Sequence, residues 1–228
     1  MASKAKKTVE FFYDVVSPYS WVAFEVLCRY RNKWAMDVVF KPFFLGGVMQ
    51  GAENKAPATN AFKAAYVHKD IDRVAEHYQI PIRHPQNFVE MAMIKGTLKT
   101  QRFLTAVSIL SPQSVEDLSR ALWIRIWNKD LDATETESLR EAARSAGISD
   151  ALSEALDRMN SAEVKGKLKA VTQEALDLKA FGAPIIVTTG KTGEKEMLFG
   201  SDRFPILADI LGEKYVGPLT EYAQKSKL

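Results

Sequence analysis

Strand-forming runs crowd the two ends of this chain, and helical periodicity fills the span between them. That order limits the fold more than any other feature. Val9 to Asp14, rich in Val, Phe and Tyr, reads as a buried strand. The next run, Trp21 to Cys28, reads as a helix reaching about Asn32. Asp37 to Phe44 reads as a second strand, and Pro42 inside it predicts an edge position, because proline has no N–H to give a ladder. A strand, helix, strand unit implies a parallel pair with a right-handed crossover.

At the far end Ile185 to Thr189 is β-branched throughout and reads as a third strand. A Gly190-Lys-Thr-Gly193 turn leads into Lys195 to Phe199, which predicts a hairpin. Gly200-Ser201-Asp202 precedes a last helix bearing Ile206, Leu207, Ile210 and Leu211, with Ser201 or Asp202 expected as its N-cap. Between the two ends, Gly46-Gly47 is expected to open a long polar loop that runs to Pro57. Leu118, Leu122 and Ile126 then recur at helical spacing, with Trp123 and Trp127 on the adjacent row. Ser111-Pro112 is the expected cap of that helix, and Thr134 to Glu137 spells a capping box for the next. A last stripe, Val164, Leu168, Val171, Ala175 and Leu178, completes the helical span. These stripes read as core. The expected fold class is α/β: residues 1–50 and 180–228 form one discontinuous sheet domain, interrupted by an all-helical insertion over residues 51–179.

Apolar residues make up 46% of the chain, enough for a core and against disorder. The net charge is +3, with basic and acidic residues interspersed, so no nucleic-acid footprint is expected. No apolar run approaches the ~18 residues of a membrane span, and no secretory signal is expected at Met1 to Lys7. Cys28 is the sole cysteine, so a Cys-x-x-Cys pair or an internal disulfide is ruled out. It is expected as a packed thiol. His68, His77 and His84 show neither ligand spacing nor an evident acidic partner, so no metal site is expected. The last three residues, Ser226, Lys227 and Leu228, spell a peroxisomal import address, which predicts an import receptor as partner and the peroxisome as location, ahead of the mitochondrion.

Ser17-Pro18-Tyr19-Ser20 carries the chemistry. It lies between the first strand and the first helix, where unpaired N–H groups and the helix dipole favour an anion. Pro18 suits the first helical position, since the N–H it lacks is not needed there. The Ser17 hydroxyl can donate to the anion, and the thiolate of a bound thiol is the expected one. Ser20 is the rival hydroxyl, most of a turn further in. Ser-Pro at this point also serves as an ordinary N-cap, and that reading stands until other residues join it. One such pair is Ala183-Pro184, directly before the third strand, where a cis bond would give a tight entry and expose backbone groups to a bound peptide.

Phe12 to Val15, Ser17 to Trp21, Leu27 to Tyr30, Asn54-Lys55, Ile80 to Ile82, Arg102 to Val107, Phe181-Gly182-x-Pro184, Leu198 to Arg203 and Leu211 to Lys214 recur in order along nearly the whole chain. Through them the chain resembles the kappa-class glutathione transferases. The resemblance implies a thioredoxin-like domain with an inserted helical domain, a homodimer, and glutathione as co-substrate with no further cofactor. It implies Ser17 as the catalytic hydroxyl facing the glutathione sulfur, flanked by Pro18 and Tyr19. Asn54 and Lys63 would meet the glycyl end. The backbone of Ala183, before Pro184, would pair with the cysteinyl amide, and Ser201 and Asp202 would hold the γ-glutamyl group. The family often has Leu where this chain has Ala183. The expected activity is conjugation of glutathione to electrophiles, or reduction of hydroperoxides.

Two other readings stay open at this point. The 2-hydroxychromene-2-carboxylate isomerases share a Ser-Pro-Tyr loop and also use glutathione. A carrier of the same fold would hold glutathione or an acyl thioester without chemistry.

Overall fold

The computed structural model describes residues 5–86, 88–148 and 152–223. Four strands, β1 (Lys7–Tyr13), β2 (Met36–Pro42), β3 (Ile185–Thr189) and β4 (Lys195–Phe199), form one sheet in the order β2-β1-β3-β4. β1 pairs parallel with β2 and antiparallel with β3, and β3 pairs antiparallel with β4. Pro42 thus lies on an edge strand, as its missing N–H requires. β1 is central and covered on both faces. Val9, Phe11 and Tyr13 face one core, shared with α1 (Pro18–Tyr30) and α9 (Phe204–Leu211). Phe12 faces the other, with Phe43, Ile185 and Val187. This is the period-2 alternation of a strand, made of apolar residues in both phases.

The helical span supplies α3 (Ala61–Tyr78), α4 (Leu98–Leu110), α5 (Val115–Trp127), α6 (Thr136–Ser145), α7 (Leu152–Arg158) and α8 (Ala162–Asp177). It packs into the sheet's cores. Trp123 of α5 is fully buried against the rings of Tyr13 and Phe24, with centroids 5.2 and 4.9 Å away. Beside it Arg120 Nε donates to Glu25 Oε1 at 2.9 Å, and Trp21 Nε1 donates to the same oxygen at 3.1 Å. Arg120 also pairs with Glu116 and Asp117 at 3.2 and 3.3 Å, so losing Arg120 would cost the buried Glu25 carboxylate its bonded cation, whereas Arg120 would keep two acidic partners without Glu25.

Four local expectations are corrected. Gly46-Gly47 does not open a loop; Leu45–Gly51 forms α2. Glycine is a poor helix former, but packing wins here. A Cβ on Gly46 would come within 2.7 Å of the Phe44 ring, and one on Gly51 within 2.7 Å of Leu176 of α8. The Thr134 to Glu137 box is not formed either. Asp132 Oδ1 accepts instead from the N–H groups of Thr134 and Glu135 at 2.6 and 3.0 Å. Partial burial opposes its charge, but Lys95 and those donors hold its carboxyl down at about 2. Ser111 does not cap α5; Pro112–Ser114 is a separate 3₁₀ turn, and the Ser111 and Ser114 hydroxyls bond to each other at 2.8 Å. Neither Ser201 nor Asp202 caps α9, which begins after Arg203 without a side-chain cap. Cys28 packs in the main core, and burial pushes its thiol well above the ordinary value, so it is a poor nucleophile.

Candidate active site

The pairing registers bring the predicted residues to one rim. β1 ends at Tyr13, and β2 runs parallel to end at Pro42. Phe12 opposes Ile185 at the start of β3, and Ile185 opposes Phe199 at the end of β4. Asp14 to Ser17, the Ala183-Pro184 bond and Gly200 to Asp202 therefore project from the same end of the sheet. That end is also where α1 begins, so its N-terminal dipole points into the rim.

The loop from Asp14 to Ser17 is held from several sides. Asp14 is fully buried, and its carboxylate accepts from Val16 N (3.1 Å), Leu45 N (3.1 Å) and the Thr97 hydroxyl (2.9 Å). Burial raises its pKa, while Gln101 and those donors pull the other way. The buried Gln101 carboxamide makes no hydrogen bond of good geometry, for neither of its polar atoms has a partner among the described residues. Trp123 Nε1 donates to Ser17 O at 3.1 Å, and Trp127 Nε1 donates to Val16 O at 3.2 Å. The two tryptophans are core residues, as their spacing predicts, and their indole N–H groups also fix the loop's carbonyls.

Ser17 is the N-cap of α1, with φ −86° and ψ 118°. Its Oγ accepts from Ser20 N at 3.1 Å. That bond uses a lone pair and leaves the hydroxyl proton for an outside acceptor. Ser17 is 7% exposed, whereas Ser20 is fully buried with an unpartnered Oγ. With Pro18 at the first helical position, the N–H of Tyr19 is the first backbone donor of the helix and has no partner within it. The Tyr19 hydroxyl donates to Asp70 Oδ2 at 2.7 Å. Burial and the Asp70 carboxylate raise its pKa, so it stays protonated and committed to Asp70.

Ala183-Pro184 is a cis peptide. Pro184 O accepts from Gly200 N at 3.1 Å, and Ala183 lies just outside the β3–β4 ladder. Ser201 is 7% exposed, while Asp202 is exposed and pairs with Arg203 at 3.4 Å. Asn54 reaches the same corner, donating from Nδ2 to Phe181 O at 2.7 Å. Lys63 stands apart, exposed on the first turn of α3. It shares a helix stripe with Tyr66 and Asp70, which bond to each other at 3.2 Å, and the stripe reaches Tyr19 through Asp70. No sequence motif marks Asp70; only contact with Tyr19 reveals it.

A cavity of about 920 Å³ lies elsewhere, between α1, α5 and α6, lined by Glu25, Arg29, Arg120 and Arg125 among others. None of the rim residues lines it. The histidines also differ from expectation. His84 Nε2 lies 2.7 Å from Asp72 Oδ1, and its ring stacks on His68 with centroids 3.8 Å apart. His84 thus has an acidic partner twelve residues upstream, a separation that hides it in the sequence.

Comparison with known proteins adds to the geometry. Residues 8–212 match the DSBA-like thioredoxin domain family. The chain is 42% identical over 214 residues to glutathione S-transferase kappa 1 of Homo sapiens, covering 93% of this chain and 94% of that protein. Against glutathione S-transferase kappa 1 of Rattus norvegicus it is 42% identical over 216 residues, covering 94% and 95%. Among solved structures, a 2-hydroxychromene-2-carboxylate isomerase superposes with a TM-score of 0.73 at 20% identity, covering 90% of this chain and 94% of the other.

Proposed function

We propose, for a chain that belongs to the DSBA-like thioredoxin domain family and is a kappa-type glutathione transferase, that the Ser17 hydroxyl donates to the glutathione sulfur and holds it as thiolate. The observation that carries this reading is the one bond from Ser20 N, which orients Oγ and leaves its proton free. A drop of two pKa units in a thiol corresponds to about 2.7 kcal/mol. A hydrogen bond to a charged group contributes roughly 1.5–3 kcal/mol and the helix dipole roughly 0.3–1 kcal/mol, which together reach that size. Pro18 leaves the Tyr19 N–H as a second donor at the same point.

The rest of the peptide follows the rim. Ala183, free of the ladder, pairs with the cysteinyl backbone in the manner of an added strand. Asp202 meets the γ-glutamyl ammonium and Ser201 its carboxylate. Asn54 and Lys63 take the glycyl end, Lys63 as a point charge. Glutathione carries two carboxylates and one ammonium, and these side chains match that distribution. Phe62, 89% exposed and one turn before Tyr66, offers an apolar wall to the second substrate.

In conjugation, the sulfur lone pair forms a carbon–sulfur bond and the leaving group departs with its electrons. With a hydroperoxide, the sulfur attacks the terminal oxygen, the O–O bond breaks and the alcohol leaves. A second glutathione then displaces water from the sulfenic acid to give the disulfide. The isomerase reading is the more distant relation, at 20% identity.

Steady-state kinetics with glutathione and either an electrophile or a hydroperoxide test the reading. Asp202→Asn should raise the KM for glutathione by ~10-fold, about 1.4 kcal/mol, with little change in kcat. An unchanged KM would remove Asp202 from the site. A homodimer is proposed on the family resemblance alone. Peroxisomal import is proposed on Ser226, Lys227 and Leu228, which lie outside the described residues. A fluorescent fusion ending in these three residues should enter peroxisomes, and one without them should stay out; equal distribution of the two would reject the proposal.

A further inference from the structure

His68, Asp72 and His84 each offer one ligand atom, and the three atoms lie within 4.8 Å of one another. We infer that they form a surface site for a divalent transition-metal ion, away from the glutathione rim. Two imidazoles and one carboxylate make an N₂O donor set, which suits zinc, nickel or copper and disfavours magnesium or calcium.

The ligands sit on supports that do not depend on the ion. His68 and Asp72 are four residues apart on α3, so one helical turn fixes their spacing. His84 comes from the segment after that helix, and this segment is anchored on both sides. Ile80 is buried, and its N–H donates to Ala75 O at 2.9 Å. Asn128 Nδ2 donates to Pro81 O at 2.8 Å, and the Arg83 N–H bonds to Trp127 O. The His84 ring is held at 2.7 Å from Asp72 and stacked on His68. A tetrahedral ion with bonds near 2.0–2.2 Å needs ligand atoms roughly 3.3 Å apart. Small rotations of three partly or fully exposed side chains close the remaining gap. The ion would replace the bond between His84 and Asp72 and leave a coordination position to water.

The site faces away from the chemistry. Tyr66 and Asp70, which reach Tyr19, lie about 200° around α3 from His68 and Asp72 respectively. The ion therefore acts as a clasp between α3 and the 79–86 segment, and no reaction step passes through it.

The test is zinc binding by the full untagged chain in the absence of glutathione, followed by titration calorimetry and by thermal unfolding. The expected result is saturable 1:1 binding, a rise in Tm and reversal of both by a chelator. His84→Ala and His68→Ala should each weaken binding by ~10-fold or more, while His77→Ala, an exposed histidine outside the trio, should bind as wild type. Binding that His84→Ala and His68→Ala leave intact would overturn the assignment. So would the lack of saturable binding below about 1 mM zinc, equivalent to about 4 kcal/mol.

Discussion

Ser17→Ala is expected to lower kcat/KM for glutathione conjugation by roughly 30- to 100-fold at neutral pH, the equivalent of one hydrogen bond to a charged sulfur. The direct measurement is the ultraviolet absorption of enzyme-bound thiolate, titrated against pH. Wild type should hold thiolate near neutral pH, and the variant should need a pH about one to two units higher. The alanine also removes the N-cap of α1, which costs about 0.5–2 kcal/mol of stability. Ser17→Gly separates the two effects, because glycine is tolerated at an N-cap yet lacks the hydroxyl. If both variants titrate as wild type while glutathione still binds, Ser17 is only a cap. Ser20 is then a poor substitute, since its hydroxyl is fully buried.

Asp14→Ala is expected to destabilise the fold by about 3 kcal/mol or more, because it leaves three donors, Val16 N, Leu45 N and the Thr97 hydroxyl, without their acceptor. Thermal unfolding should show a fall of roughly 6–12 °C for a chain of this size. Loosening the loop would also move Ser17, and small misplacements there cost up to ~100-fold in rate. Asp14→Asn should be milder. The carboxyl's raised pKa favours folding fully below its unfolded value near 3.9, and that contribution fades as pH climbs through the folded value. A neutral amide escapes this loss and keeps an acceptor oxygen for the same donors. Equal stability of Asp14→Ala and wild type would show that the three donors find water instead.

The sheet was legible because its strands carry unambiguous local chemistry. Pro42 announces an edge, and β-branched Ile185 to Thr189 with a glycine turn announces a hairpin. The rim was legible for the same reason: Ser17-Pro18 and Ala183-Pro184 are backbone signatures written in adjacent residues. What escaped was decided by tertiary contact. α2 contains Gly46, Gly47 and Gly51, which argue against a helix until Phe44 and Leu176 are seen to need the space. Asp132, outside the apparent box, binds the N–H groups of Thr134 and Glu135 just ahead of α6, which has no side-chain cap. Asp70 joins the rim only through the Tyr19 hydroxyl, 51 positions away in sequence. Asp72 meets His84 by the fold of the segment after α3, which no helical spacing encodes. The indole N–H groups of Trp123 and Trp127 serve the loop from within a stripe that looks purely apolar.

The central pairing of the sheet also governs how the molecule comes into being on the ribosome. β1 emerges well before one of its two neighbours, β3, which begins at Ile185. Until that segment is synthesised, one edge of β1 lacks its partner, and Val9, Phe11 and Phe12 lack the residues that cover them from β3. Nascent chains shorter than this expose an apolar strand edge, the kind of surface that invites association with other chains. Closure of β1 on β3 joins segments far apart in the chain, which slows assembly relative to a bundle built from neighbours. The helices between can pack early, but the rim that holds Ser17, Pro184 and Asp202 exists only after both ends of the chain have met.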